Sequence, residues 1–599
     1  MRLHPKNLAS WLVSLAFIVG SVIAAVPTSP VKLNYYTYQN SVFSGQIYVQ
    51  NIAYSKVVTV IWADSSNNWS GYSTPASFYQ SISGTSYEYW NFTTTIGSSG
   101  ISQFYIQYQV NGNTYYDNNN GYGSNYPVTA TTASSSSSTT KATTTKASTT
   151  GTTTTTSATT TATASTGIAS WVNNEASISY NIMYGNINVA GAAPGFIAAS
   201  PSTSSPDYYY AWVRDSALTM HVVVNQFNTT GAKNSTISKI ITDYVTFQAN
   251  AQTESTPCNC LGEPKFNPDG SAYTGAWGRP QNDGPAERAI TLIKFADSWI
   301  GQGNSATYIS NTVNTVIFKD LDYITTVWSN TCFDLWEEVN ALHFFTLMVQ
   351  RRALLAGAEY AARVGHSNNY ATVAASIATK IDTFWSSSSG IVQTAQNYAS
   401  GVNYKSSGLD AAVLLAAIHG GNGDGFYTSS SDKILATSLK IKNSFASLYA
   451  VNSNTSVGTA IGRYPEDQYN GVGTSQGNPW FLSTVLYAEL YYRAILEWKA
   501  AGKITVTSIS QPFFAQFYSS AASGDVYTST STQFSTITTG VANAADLVFA
   551  RVQKHANTDG SLSEEFDRTS GFEIGAVKLT WSHAAFITAA LARSGTPSF

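Results

Sequence analysis

The stretch FFTLMVQRRALLAGAEYAARVG, Phe344 to Gly365, decides the fold class. Its apolar side chains fall at helical spacing, and the same period returns in PAERAITLIKFADSWI, YATVAASIATKIDTFW, GLDAAVLLAAIHG, WFLSTVLYAELYYRAILEWKAAG and GVANAADLVFARVQKHA. Strand signals are sparse here, and the helical segments recur roughly every thirty to forty residues, about a dozen in all. Residues 168–599 are therefore expected to form a mainly helical domain whose chemistry sits in the long loops between helices.

Immediately before this helix, FDLWEEVNALHFF (Phe333 to Phe345) crowds Asp334, Glu337 and Glu338 together in a chain that is only 11% charged. On a helix these carboxylates would share a face and repel by about 0.2–0.5 kcal/mol per pair. Two readings compete: a helix start with Asp334 as N-cap and Glu337 at N3, or a functional acidic site. Three other loops set Arg and acid beside rings: SPDYYYAWVRDS (Tyr208, Trp212, Arg214, Asp215), AYTGAWGRPQNDGP (Trp277, Arg279, Asp283) and GRYPEDQYNGVGTSQGNPWF (Arg463, Glu466, Asp467, Trp480). Rings cover sugar faces while Arg and carboxylate groups bond neighbouring hydroxyls, so this mix suits a carbohydrate site. Structural Arg–carboxylate pairs that fix loops are the alternative. A later cluster, DGSLSEEFDRTSGFEIGAVKLTWSHAAF, adds Glu564 and Glu565 ahead of Trp581. Two separated carboxylates are the minimum equipment of glycoside hydrolysis.

Upstream, residues 129–167 collapse to Thr, Ser and Ala, a composition that buries no core and suits an O-glycosylated linker. Residues 26–128 before it are rich in β-branched and aromatic residues and carry a hairpin signal, VNGNTYYD, so a small all-β sandwich is expected. Trp69, in the polar run DSSNNWSGYS, reads as an indole displayed for the apolar face of a sugar. The first 25 residues read as a signal peptide, with Arg2 and Lys6 ahead of an apolar run and Ala24–Ala25 at its end. A soluble, secreted, extracellular protein with no membrane span follows, and sequons at Asn68, Asn91, Asn228, Asn234 and Asn454 are compatible with glycosylation. A net charge of −3 with few Lys and Arg argues against a nucleic-acid partner. Of the 3 cysteines, a bridge from the Cys258–Cys260 loop to Cys332 is expected; no metal-ligand spacing appears.

Together SPDYYYAWVRDS, LGEPKFN, AYTGAWGRPQNDGP, DLWEEVN, RYPED, NPWFL, SLSEEFD and LTWSHAA resemble, in order, the fungal glucoamylases of glycoside hydrolase family 15. In the first domain NIAYSK, NNW and TYYDNNN resemble a family 21 starch-binding module. The resemblance implies an all-α (α/α)6 barrel after the β-sandwich, a pocket at one end, and inverting, exo-acting release of glucose from starch, glycogen-like chains and maltooligosaccharides. It implies no metal and no cofactor, and a monomer is expected. Glu337 corresponds to the general acid and Glu564 to the general base. Asp334 and Glu338 match neighbours whose charge helps keep the acid protonated, and Glu338 also touches the second sugar. Arg214, Asp215 and Arg463 match the groups that hold the terminal glucose; Tyr208 and Trp212 border it, and Trp277, Trp336, Trp480 and Trp581 form aromatic walls. In the module the matching aromatics are Tyr54, Trp69, Tyr79, Tyr87, Tyr105, Tyr115 and Tyr116. A barrel enzyme of another linkage specificity and an inactive starch-binding protein are the rival readings.

Overall fold

A computed structural model describes residues 27, 29–39, 41–53, 56–69, 71–82, 85–97, 99–118, 125–128, 161–230 and 235–598. The expected signal peptide, residues 129–160 of the expected linker, Tyr54 and Asn234 lie outside the described residues. The chain forms two compact units that divide between Thr154 and Thr155.

The first unit is all-β: β1 Val31–Gln39, β2 Val42–Gln50, β3 Lys56–Ala63, β4 Ser73–Ser81, β5 Tyr87–Thr95, β6 Gln103–Val110, β7 Asn113–Asp117 and β8 Tyr126–Pro127. All pairings are antiparallel in the order β1-β2-β5-β4-β3-β6-β7, with β8 on β6. Alternation turns every second residue inward, so Phe43, Ile47 and Val49 of β2 and Phe104, Ile106 and Tyr108 of β6 are buried. Phe43 meets Phe104 at 4.9 Å and Phe92 at 5.0 Å, which closes the strand path over one aromatic core as a sandwich. The β6–β7 hairpin turns through Asn111 and Gly112, both with positive φ, as the Asn-Gly signal requires.

Twelve helices of eight residues or more build the second unit among the described residues. They are α1 Thr161–Gly185, α2 Val213–Thr230, α3 Ser235–Ala251, α4 Gly284–Gly301, α5 Asn314–Val327, α6 Phe344–Val364, α7 Tyr370–Asp382, α8 Ala412–His419, α9 Asp432–Ala446, α10 Phe481–Ala501, α11 Thr532–His555 and α12 Thr580–Arg593. The even-numbered helices touch in sequence, α2–α4–α6–α8–α10–α12, and α12 returns to α2, so they close an inner ring. The odd-numbered helices lie outside them, making six inner and six outer helices. Inner helices are covered on both sides and therefore apolar nearly all round; every residue of α8 is buried. Gly365 and Gly502, in left-handed conformation, end α6 and α10, and the Ser531 hydroxyl caps α11. Helix α1 begins at Thr161, so the linker boundary drawn at residue 167 falls within it. No helix among the described residues is long and apolar enough to cross a membrane.

The expected cysteine pairing is not what forms. Cys258 bonds to Cys260, whose Cα atoms are 5.2 Å apart, and Cys332 is a buried free thiol. Cys332 sits in the strand Cys332–Phe333, under the ladder to Val339–His343, while the other two lie together in one loop.

Candidate active site

The segments that join an outer helix to the next inner one gather at one end of the barrel, where inner helices begin. Trp212 ends a two-residue strand just before α2, and Arg214 and Asp215 stand in the first turn of α2. Trp277 precedes α4, the Asp334–Glu338 turn precedes α6, Arg463 and Trp480 precede α10, and Glu564 precedes α12, whose first turn holds Trp581. Except for Asp334, these side chains line a cavity of about 210 Å³ together with Tyr208, Tyr469, Ala199 and Leu579. The surrounding helix N-termini place positive dipole ends around it, which suits a site built on carboxylates.

The Asp334–Glu338 segment is not a helix start. It is the turn of a hairpin between Cys332–Phe333 and Val339–His343, and α6 begins only at Phe344. Asp334 Oδ1 accepts from the amides of Glu338 (2.7 Å) and Val339 (3.0 Å), and the Asp334 carbonyl accepts from the Glu337 amide (2.9 Å). That bracing holds Glu337 at φ +68°, a conformation that costs a non-glycine residue roughly 1–2 kcal/mol. Glu337 Oε1 then accepts from Trp212 Nε1 (2.6 Å) and Gln281 Nε2 (2.9 Å).

The neighbouring acids are matched by cations. Burial pushes the Asp334 carboxyl up, but Lys405 at 3.2 Å and the turn amides more than offset this and hold it below the usual range. Burial raises Glu338, against the pull of Arg463 (2.7 Å) and Lys405 (3.8 Å); the Tyr464 hydroxyl donates to its other oxygen at 2.7 Å. The repulsion inferred from the sequence is thus offset within the turn's own surroundings. Arg463 also bonds Asp467 through Nε (2.8 Å) and Nη2 (2.7 Å) and lies over Trp336, Tyr469 and Trp480.

Across the cavity, Glu564 Oε2 accepts from the Tyr469 hydroxyl (3.0 Å) and the Ala576 amide (3.3 Å). Burial raises both Glu564 and Glu565. The Tyr208 and Tyr469 hydroxyls, the Ala576 amide and Arg463 pull Glu564 back, whereas Glu565 has Asn478 and a buried Oε1 without a hydrogen-bond partner. Glu565 therefore holds its proton to higher pH than Glu564. Arg214 bonds Gln281 and Asp283, each at 3.0 Å, and approaches Asp215 at 3.3 Å. Burial pulls the Arg214 guanidinium down, but Asp283 and Asp215 outweigh it; burial pushes Asp215 up to about 6 despite Arg214. Trp277 Nε1 and Trp480 Nε1 are buried without a hydrogen-bond partner, which leaves donors for ligand hydroxyls in a tryptophan-walled pocket.

Residues 175–591 match the family model for glycosyl hydrolases family 15, and residues 25–129 match the carbohydrate/starch-binding module (family 21). The chain belongs to glycosyl hydrolases family 15. Glucoamylase 1 of Rhizopus oryzae is 54% identical over 603 residues, covering 99% of both chains. A glucoamylase of Blastobotrys adeninivorans is 35% identical, covering 94% of this chain and 92% of its own. Among solved structures, a family 15 glucoamylase from Hypocrea jecorina superposes with a TM-score of 0.67 at 38% identity, covering 72% of this chain and 73% of its own.

Within this family 15 domain the cavity holds every residue that the sequence placed in the pocket except Asp334. Asp334 is 4% exposed and faces the turn amides and Lys405, so it braces the hairpin and does not line the pocket. Sequence reasoning missed Tyr469, an aromatic within the Arg463 loop, and Gln281, an uncharged residue between Arg279 and Asp283. Both bond a carboxylate of the site.

In the β unit the structure gathers Trp69, Tyr105 and Tyr116, with ring centroids 5.4 Å and 6.2 Å apart, and Tyr116 is 56% exposed. Tyr79 is exposed on β4. Two further expected platform residues pack within the sheet, Tyr115 staying half-buried. Tyr87 is buried with its hydroxyl donating to the Ser29 carbonyl, and Tyr115 packs on Tyr108. Of the sequons, Asn68 and Asn228 are exposed, Asn91 Oδ1 accepts from Gln46 Nε2 (3.1 Å), and Asn454 Oδ1 accepts from Ser456.

Proposed function

We propose that the chain is a secreted glucan 1,4-α-glucosidase. It releases glucose from non-reducing ends of starch and maltooligosaccharides with inversion to the β-anomer, and acts more slowly on α-1,6 bonds. The observation that carries this reading is that Glu337 and Glu564, far apart in sequence, open on one cavity with Arg214, Asp215 and the tryptophans. Family membership and the relatives named glucoamylases support it.

Glu337 is the general acid. Because Trp212 and Gln281 both donate to its Oε1, the proton rides on Oε2 and passes to the glycosidic oxygen as the bond breaks. Glu564, with Tyr469 and Ala576 on Oε2, takes a proton from water through Oε1 as that water attacks the opposite face of the ring. Arg214 and Asp215 hold hydroxyls of the terminal glucose with help from Arg463, Tyr208 and Trp212 border it, and Glu338 meets the next sugar. Trp277, Trp336, Trp480 and Trp581 are the walls. Both proton transfers belong to carboxylates, so the chemistry requires neither metal nor organic cofactor. The β unit, residues 26–128, binds starch through Trp69, Tyr105 and Tyr116, with Tyr54 and Tyr79 as further contacts. The mature protein is a monomeric extracellular glycoprotein, its two units joined by the Ser/Thr-rich linker.

Glu337→Gln and Glu564→Gln should each lower maltose turnover by about 10²–10⁴-fold with the unfolding midpoint unchanged. Wild-type turnover in either variant would assign the role to another carboxylate.

A further inference from the structure

Beside the pocket stands a caged cation that the reaction above leaves unused. Lys265 pairs across the short strand ladder with Trp212 and is 2% exposed. Its Nζ lies 3.7 Å from the ring centroid of Trp277, 3.9 Å from Tyr210, 4.2 Å from Tyr273 and 4.6 Å from Trp212. No carboxylate pairs with it among the described residues. A buried ammonium without a carboxylate partner is disfavoured by several kcal/mol or so unless something nearby uses its charge. Aromatic faces return part of that, about 0.5–2 kcal/mol each. The charges that bear on it are Glu337 and Asp207, which favour the ammonium, and Arg279, which opposes it. Burial lowers Lys265 to about 8, so it remains charged in neutral and acidic solution.

Two of the four rings, Trp212 and Trp277, line the pocket, and the Trp212 indole N–H is bonded to Glu337. The cation therefore sits on the face of the very ring whose edge holds the acid. A positive charge over an indole face polarises the ring and strengthens its N–H as a donor.

We propose that Lys265 is a positioning residue for the proton donor: through Trp212 it stabilises the negative charge that Glu337 acquires on giving up its proton. This deepens the assignment of Glu337 as acid and rests on it. A purely structural role, a pillar between four rings, would affect every substrate alike.

Leaving-group dependence separates the two. Maltose loses a sugar alkoxide that needs a proton, whereas α-D-glucosyl fluoride loses fluoride with little assistance. Lys265→Met, which keeps length and removes charge, should lower kcat/KM for maltose about tenfold and leave that for the fluoride nearly unchanged. Lys265→Arg should keep the wild-type ratio of the two. Equal losses on both substrates, no loss on either, or an Arg variant shifted as far as the Met variant would overturn the proposal. Lys265→Gln serves as the neutral variant if the Met protein does not fold. Glu337→Gln, measured alongside, should show the same selectivity more strongly; if it does not, the assignment of the acid fails and the role of Lys265 falls with it, whereas a selective Glu337→Gln beside an unselective Lys265→Met overturns the role of Lys265 alone.

Discussion

At the scale of single residues, the acid is held by backbone conformation as much as by hydrogen bonds. Glu337 adopts φ +68° with its amide bonded to the Asp334 carbonyl, and its carboxylate meets Trp212 and Gln281. The identity of these acids was legible in the sequence. The backbone that carries them was not, because a three-carboxylate cluster reads the same whether it starts a helix or forms a tight turn. A residue-level test of electrostatics lies away from the pocket, at Glu175 of α1, which is 1% exposed and raised to about 8 by burial. Between about pH 4.5 and 8 the folded chain keeps a proton there that the unfolded chain releases. Its contribution to stability is therefore full at low pH and is lost as pH rises through that window. Glu175→Gln, neutral throughout, should lose less stability than the wild type from pH 4.5 to 8, measured as urea midpoints. Identical pH dependence in the two proteins would show that Glu175 ionises freely in the fold.

Among elements, the helical period announced the barrel because inner helices, wrapped on both sides, must be apolar almost everywhere; within GLDAAVLLAAIHG every residue of α8, Ala412–His419, is buried. The hairpin that carries Glu337 was hidden, since its strands Cys332–Phe333 and Val339–His343 are too short to display an alternating pattern and Val339–His343 pairs further with Ala395–Gly401. Gly401 makes that pairing possible. It has φ +101°, and a Cβ there would stand 2.0 Å from the Glu338 carbonyl oxygen. Gly401→Ala should lower stability by about 1–3 kcal/mol and reduce kcat on maltose by displacing the turn that carries Glu337 and Glu338. Thermal unfolding and steady-state kinetics together check this, and unchanged values would mean that the hairpin yields without disturbing the acid. The cysteines teach a similar lesson. The sequence offers three thiols without distances, and the local Cys258–Cys260 bond forms while Cys332 is kept in the ladder.

For the whole molecule, the division into a β unit and a helical unit was plain in composition, because a Ser/Thr tract cannot bury a core. Which aromatics of the β unit reach solvent was not plain, since Tyr87 and Tyr116 both lie on strands and only the folded sheet buries one and exposes the other. Removing residues 26–128 should leave hydrolysis of soluble maltose intact and weaken attack on raw starch granules, where tethering raises the local substrate concentration. Equal rates on granules with and without these residues would remove the binding role. The central claim is that Glu337 donates a proton while Glu564 activates water on the other side of the sugar. Proton NMR of glucose in the first moments after mixing enzyme with maltotriose tests it most directly. The account predicts that the nascent sugar is the β-anomer, relaxing later to the equilibrium mixture; nascent α-glucose would contradict it.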